Sequence, residues 1–289
     1  MKKYGAYPLI SVIIPTHNNA GSIGLAIESM LTQTYPNIEI IVVDDHSTDT
    51  TADVVKDIVR KNPNVSYYLL PWDDPVRFSK TGRNINAGYL ARNYGLTRAK
   101  GEWITFQDGD DASLANRIEA QYDLALKHNA SHVCIQWMRY SPDLIGKQLD
   151  VERVLLEHPD AFIDKEYITA LAHSSKGIII PLLGKLNSKI PFEIKAKRVI
   201  NKLFFGSLAS YPGSGNSPLF KREIIDKVRF RKSSERVWPS FVGRGADRDF
   251  NFQVSETFKN SVSFNLPLYL YKSKRQNEGF EGYEKYLKP

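Results

Sequence analysis

The chain has 289 residues, 42% hydrophobic and 25% charged, the proportions of a soluble globular protein long enough to bury a substantial core. Its longest apolar runs, Leu9 to Ile14 and Ile178 to Leu183, fall far short of the roughly 20 residues of a membrane-spanning helix. A single cysteine, Cys134, excludes an intrachain disulfide. The net charge of +7 is concentrated between Lys176 and Lys202, where seven Lys or Arg face one acid, Glu193. That is a local basic patch, which argues against a protein that coats nucleic acid along its whole surface. Lys2 and Lys3 precede a short apolar run with no small-residue cleavage site after it, so a cytoplasmic protein is expected.

In chain order, Leu9 to Ile14 is a β-branched strand that ends in the turn-rich Pro15-Thr16-His17-Asn18-Asn19. Ile23, Ala26, Ile27, Met30 and Leu31 repeat at helical spacing. Ile38 to Val43 is a second strand ending at Asp44-Asp45, and Asp49 or a neighbouring hydroxyl caps a helix with Val54, Val55, Ile58 and Val59 on its apolar face. Val65 to Leu70 is a third strand, Asn84 to Ala99 a helix and Glu102 to Phe106 a fourth strand. Ser113 is the expected cap of a helix from about Leu114 to Lys127, and Ser131 to Arg139 is the next strand. Past residue 140 the alternation weakens. Short elements are expected at Ser217 to Phe220 and Glu223 to Lys227, then a helix through Phe258 and a late strand from Val262 to Tyr271.

Strands alternating with helices predict a mostly parallel, doubly wound sheet, whose ligands bind outside the carboxyl ends of the strands. Those ends carry Pro15-Thr16, Asp44-Asp45 and Asp108-Gly109-Asp110-Asp111. Three carboxylates grouped around one glycine call for a compensating hard cation, the alternative being a solvated acidic turn. Neither a dinucleotide fingerprint nor a P-loop follows the first strand.

Taken together, Ser11 to Asn18, Val42 to Asp49, Ala91 to Gly95, Ala99 to Ile104 and Phe106 to Asp111 resemble, in order and spacing, the family-2 glycosyltransferases. The resemblance implies an α/β GT-A (Rossmann-like) fold with a mixed, mostly parallel central sheet flanked by helices. It implies inverting transfer of a sugar from a nucleotide-sugar donor, usually UDP-linked, to a hydroxyl of a glycan or lipid-linked saccharide. By position, Asp45 would bind the donor's base with Pro15 and Thr16 lining that pocket. Asp110 would hold Mn²⁺ or Mg²⁺, with Asp108 facing the ribose or the metal. Arg83 and Arg92 would approach the diphosphate, although Arg92 and Asn93 equally suit helix packing and capping. Residues 1–140 would form the nucleotide-sugar-binding half and 141–289 the acceptor half, together one domain.

The family's catalytic base matches Asp247 in Gly245-Ala246-Asp247, where Ala246 replaces the usual Glu. A helix cap is the other role open to Asp247. Trp238 and Phe241 suit either a sugar-stacking or a core position, and Lys274 or Arg275 replaces a basic C-terminal motif of the family. The histidines, His17 and His46 among them, show no metal-ligand spacing and suit structural or surface positions. The basic window 176–202 has three readings: a solvated face, a site for an acidic acceptor, or a peripheral contact with an anionic membrane. The competing classes are a retaining transferase or sugar nucleotidyltransferase on a related fold, and a catalytically silent nucleotide-sugar- or glycan-binding protein. No nucleic-acid partner is expected.

Overall fold

The computed structural model describes residues 7–73, 77, 88–176, 189–195, 197, 199–200, 209–238, 245–272 and 282–289. Arg83, Phe241, Lys274, Arg275 and most of the basic window lie outside the described residues. The strands are β1 (Ile10–Thr16), β2 (Ile38–Asp44), β3 (Val65–Leu69), β4 (Trp103–Phe106), β5 (Ala112–Ser113), β6 (His132–Arg139), β7 (Gln148–Leu149), β8 (Phe162–Ile163), β9 (Leu219–Lys221), β10 (Ser261–Tyr271) and β11 (Leu287–Lys288). The helices that matter for the site are α1 (Ile23–Leu31), α2 (Thr51–Val59), α3 (Tyr89–Arg98), α4 (Arg117–Lys127), α5 (Val151–Glu157), α6 (Lys165–Ser174) and α7 (Ala246–Phe258). No helix among the described residues is long and apolar enough to cross a membrane.

One sheet runs in the order β3-β2-β1-β4-β9-β6-β10-β5, with β8 also on β10, while β11 pairs with β7 separately. β3, β2, β1 and β4 are mutually parallel. β9 lies antiparallel between β4 and β6, and β10 is parallel to β6. The carboxyl ends of β1, β2, β4, β6 and β10 therefore share one edge of the sheet. The chain enters β9 at that same edge.

Every residue of β1 is buried, as expected of a strand covered on both faces. Alternation divides the core: Ile10, Val12 and Ile14 pack with α1, α2 and α4 residues such as Ile27, Val55 and Ile118. On the other face Ile13, Ile41 and Phe106 pack with Ala91 and Leu96 of α3 and Phe250 of α7.

One sequence expectation changes at the helix starts. Ser113 does not cap α4, whose N-cap is Asn116. Ser113 instead pairs with Tyr269 of β10 and its hydroxyl donates to Gln107 Oε1 at 2.7 Å, so a bridging pair takes the residues that local helical pattern assigned to the first turn. At α2 the N-cap is Thr50, the hydroxyl residue beside Asp49, and Asp49 itself accepts from Thr51 N at 3.0 Å, as the sequence leads one to expect. β10 is also irregular. Its pairing with β6 runs Ser263 with Cys134, then Pro267 with Gln136, then Tyr269 with Trp137. The extra residues around Pro267 form a bulge, the place in a strand that tolerates a proline.

Candidate active site

A cleft of about 620 Å³ opens at the shared carboxyl edge. Pro15, Thr16, Asp45, Arg92, Asp108, Asp110 and Asp247 all line it. Residues drawn from widely separated parts of the chain thus meet in one place, because each follows a strand end or opens a helix there.

The turn after β4 forms the floor. Carboxylate oxygens of Asp108, Asp110 and Asp111 lie within 4.8 Å of one another. The turn packs closely at Gly109, where a Cβ would stand 2.9 Å from Asn19 Nδ2 and 3.0 Å from Thr16 Oγ1. The Ser22 hydroxyl donates to Gly109 O at 3.1 Å and so ties the turn to the start of α1. Asp111, to which the sequence alone assigns no role, is buried. It accepts from Tyr269 OH at 2.9 Å and from the Lys272 backbone N–H at 2.8 Å. Burial, then Asp108 and Asp110, push its carboxyl up to about 8.

Arg92 is the fixed cation of the site. Its guanidinium donates to Asp108 Oδ1 at 2.6 Å and lies 3.6 Å from Asp247 Oδ1. Burial by itself would push Arg92 down, but Asp108 and Asp247 outweigh it and raise its pKa. The ring faces of Phe106 and Phe230 lie 6.0 and 5.6 Å from the guanidinium carbon, within reach of a cation–π attraction. Arg92 is placed by the backbone before it: Gly88, the N-cap of α3, has φ 67°, and a Cβ there would meet Arg92 Nη1 at 2.8 Å. Asn93 takes the packing role instead, donating to Phe230 O at 2.8 Å and accepting from Phe230 N at 3.0 Å.

At the far end of the edge, Asp45 is buried and paired with Arg77 at 2.5 Å. Burial pushes the Asp45 carboxyl up, against the lowering pull of Arg77. Its neighbour Asp44 turns away, accepting from Ser47 N at 2.8 Å and Tyr67 OH at 2.9 Å. The pair therefore divides between loop support and cleft. The Thr16 hydroxyl is buried with no hydrogen-bond partner among the described residues.

Asp247 lies in the first turn of α7, where the helix dipole favours a carboxylate. Ala246 beside it is buried within the cluster of Phe230 and Phe250. A glutamate at 246 would place its carboxylate in that apolar cluster, an expensive burial. Asp249, two residues on, is structural. It accepts from Val237 N and Trp238 N at 2.7 and 3.0 Å and pairs with Arg231 at 3.1 Å.

Several cleft residues carry no sequence signal. Asn216, ahead of β9, donates to Asp108 Oδ2 at 2.9 Å and to Tyr269 OH at 3.0 Å. His17, expected at a structural or surface position, lines the cleft with its Nδ1 2.6 Å from Asp45 O. Nothing in the sequence marks Arg77 or Trp137 either; Trp137 lines the cleft, as does Tyr271, which opens the segment compared with the family's C-terminal motif. Trp238 belongs to the core: it is buried, stacked on Phe252 at 5.8 Å, and its Nε1 donates to Ala172 O at 3.0 Å.

Comparison with known proteins bears on the family and the fold. The Escherichia coli protein named UDP-Glc:alpha-D-GlcNAc-diphosphoundecaprenol beta-1,3-glucosyltransferase WfgD is 34% identical over 123 residues, which is 43% of this chain and 43% of that protein. The chain spans about half the length of the curated relatives it matches, or less. Among solved structures, Staphylococcus aureus TarS 1-349 in complex with UDP superposes with a TM-score of 0.55 at 16% identity, covering 91% of this chain and 60% of that one. The mannosyltransferase PcManGT from Pyrobaculum calidifontis, solved with GDP-Man and Mn²⁺, gives 0.52 at 18% identity, covering 95% and 59%. These likenesses show the GT-A fold. Residues 11–173, more than half of the chain, match the model of the family described as Glycosyl transferase family 2. With that match and this fold, the chain belongs to glycosyl transferase family 2.

Proposed function

We propose that the chain transfers a sugar from a UDP-linked donor to a hydroxyl of a glycan or lipid-linked saccharide, with inversion and with a divalent cation bound. The observation that carries this reading is the convergence of Asp45, the Asp108 to Asp110 turn and Asp247 on one cleft. The donor's base lies toward Asp45, Pro15 and Thr16, where the buried Thr16 hydroxyl offers an unused hydrogen-bonding group. The diphosphate lies toward the acidic turn. The lipid-linked acceptor is suggested by the E. coli relative's name, and UDP and Mn²⁺ by the ligands named with the two solved structures.

The acidic turn suits a hard cation, since it supplies only carboxylate oxygens within 4.8 Å of one another. Asp108 is engaged by Arg92 and Asn216, and Asp111 by Tyr269 and Lys272. Asp110, the exposed carboxylate of the three, would be the leading ligand, with Asp108 beside it. When bound there, Mn²⁺ or Mg²⁺ supplies Lewis-acid stabilisation of the departing diphosphate. Asp247 accepts the proton of the acceptor hydroxyl as its oxygen bonds to C1 of the donor sugar and the bond from C1 to the diphosphate oxygen breaks. Arg92, between Asp108 and Asp247, holds both carboxylates in place.

The test is transfer by Asp247→Asn against a panel of UDP-sugars with Mn²⁺. Loss of transfer on the order of 10²- to 10⁴-fold with UDP binding retained is expected. Transfer at the wild-type rate would remove Asp247 as the base, and a product retaining the donor's anomeric configuration would remove inversion.

A further inference from the structure

Trp137 and Tyr271 form an edge-to-face pair at the wall of the cleft, with ring centroids 5.1 Å apart and planes at 66°. Nothing in the local sequence of Trp137 marks it as a site residue, and Tyr271 opens the segment that stands where the family carries its C-terminal motif; the two are brought together by the β10 bulge. Before the bulge Ser263 pairs with Cys134, and after it Tyr269 pairs with Trp137. Side chains two apart on a strand share a face, so Tyr271 follows Tyr269 onto the cleft side. Tyr269 reaches the acidic turn, donating to Asp111 at 2.9 Å and accepting from Asp108 N at 3.2 Å. The backbone after Tyr271 is fixed by the bond from Lys272 N to Asp111. The aromatic pair is thus built in one piece with the acidic turn.

Strand order locates the pair along the path of a substrate. From β2, which carries Asp45, to β4, which carries the acidic turn, are two strand steps, or roughly 10 Å. That matches the distance from a nucleoside to its diphosphate. From β4 to β6, which carries Trp137, are two further steps in the same direction, again roughly 10 Å. The donor's own hexose takes up about half of that span, so the aromatic pair lies where the next ring sits.

We propose that Trp137 and Tyr271 are the stacking platform for a pyranose ring of the acceptor, packing against its apolar C–H face. The acceptor is accordingly a saccharide whose reacting end is a sugar ring, rather than a bare lipid phosphate or a protein hydroxyl. An indole and a phenol suit such a ligand: each offers a broad apolar face with a negative π surface and an edge that accepts polar neighbours. The inference rests on the glycosyltransferase reading above and deepens it.

The experiment is saturation-transfer NMR with methyl glycosides of glucose, galactose, N-acetylglucosamine and N-acetylgalactosamine, in the presence of Mn²⁺ and UDP. Transfer to the ring C–H protons of at least one glycoside is expected. Trp137→Ala and Tyr271→Ala should each weaken that binding roughly tenfold while UDP binding is kept, and Trp137→Phe should restore most of it. Retention of UDP binding shows that a variant is folded. Binding of UDP with no saturation of any glycoside, or wild-type saturation in both alanine variants, overturns the platform. Failure of the wild-type protein to bind UDP with Mn²⁺ instead overturns the donor reading on which it rests.

Discussion

Arg92 is buried against two carboxylates, one in the turn after β4 and one at the start of α7, and its position depends on a residue with no side chain. At Gly88 an alanine would meet both a left-handed φ and the Arg92 guanidinium. Gly88→Ala should cost about 1–2 kcal/mol, read as a lower melting temperature, and should reduce transfer at least about tenfold by displacing Arg92. Wild-type transfer in this variant would show that Arg92 has no part in holding Asp108 and Asp247. The residue scale also marks the limit of the sequence. Asp108, Asp110 and Asp247 were legible because they stand where the family's motifs have carboxylates, and the fold brings all three to one cleft. Asn216, Arg77 and Tyr269 were not, since their partners lie far away in the chain and only the folded sheet brings them together.

At the scale of elements, α7, β6 and β10 are joined by a buried polar network. His132 Nδ1 lies 2.9 Å from Ser261 Oγ and its Nε2 lies 3.0 Å from Asn251 Oδ1, while Asn251 donates to Gly215 O at 2.8 Å. The groups around His132 are neutral, Cys134 and Tyr211 among them. Burial therefore lowers the His132 pKa from 6.5 to about 4. Because the folded value lies below the unfolded one, the unfolded chain takes up the proton first as pH falls. Stability from this group is fully present above pH 6.5 and is lost as pH drops toward 4, by roughly 3 kcal/mol in all. Melting temperature followed from pH 7.5 to 4.5 should fall more steeply for the wild type than for His132→Gln, and equal slopes would contradict the assignment. The parallel strands and their helices were readable from apolar periodicity, which reports local burial. The insertion of β9 between β4 and β6 was not, because a three-residue strand carries no pattern of its own.

For the molecule as a whole, the cleft predicts a joint dependence on nucleotide and metal. Asp110 is the one carboxylate of the turn that is exposed, and a single carboxylate is a weak site for a hard cation without phosphate oxygens. Mn²⁺ alone should barely shift the melting temperature. UDP and Mn²⁺ together, each at about 100 times its dissociation constant, should raise it by roughly 5–10 °C. A full shift from Mn²⁺ alone would mean that the turn is a self-sufficient metal site. The sheet also runs without interruption across residue 140, since β6 pairs with both β9 and β10. The boundary between donor and acceptor halves is therefore a division of labour we propose along the cleft rather than a gap in the core.

The bulge in β10 sets the phase of everything that follows it. The strand begins in the core, beside Cys134, and ends at the mouth of the cleft. Removing a single residue near Pro267 would leave both ends in place but exchange the two faces beyond it. Leu270, now fully buried, would turn outward, and Tyr271 would turn in. Tyr269 would turn with them, and the acidic turn would lose the bond from Tyr269 to Asp111 along with the aromatic wall.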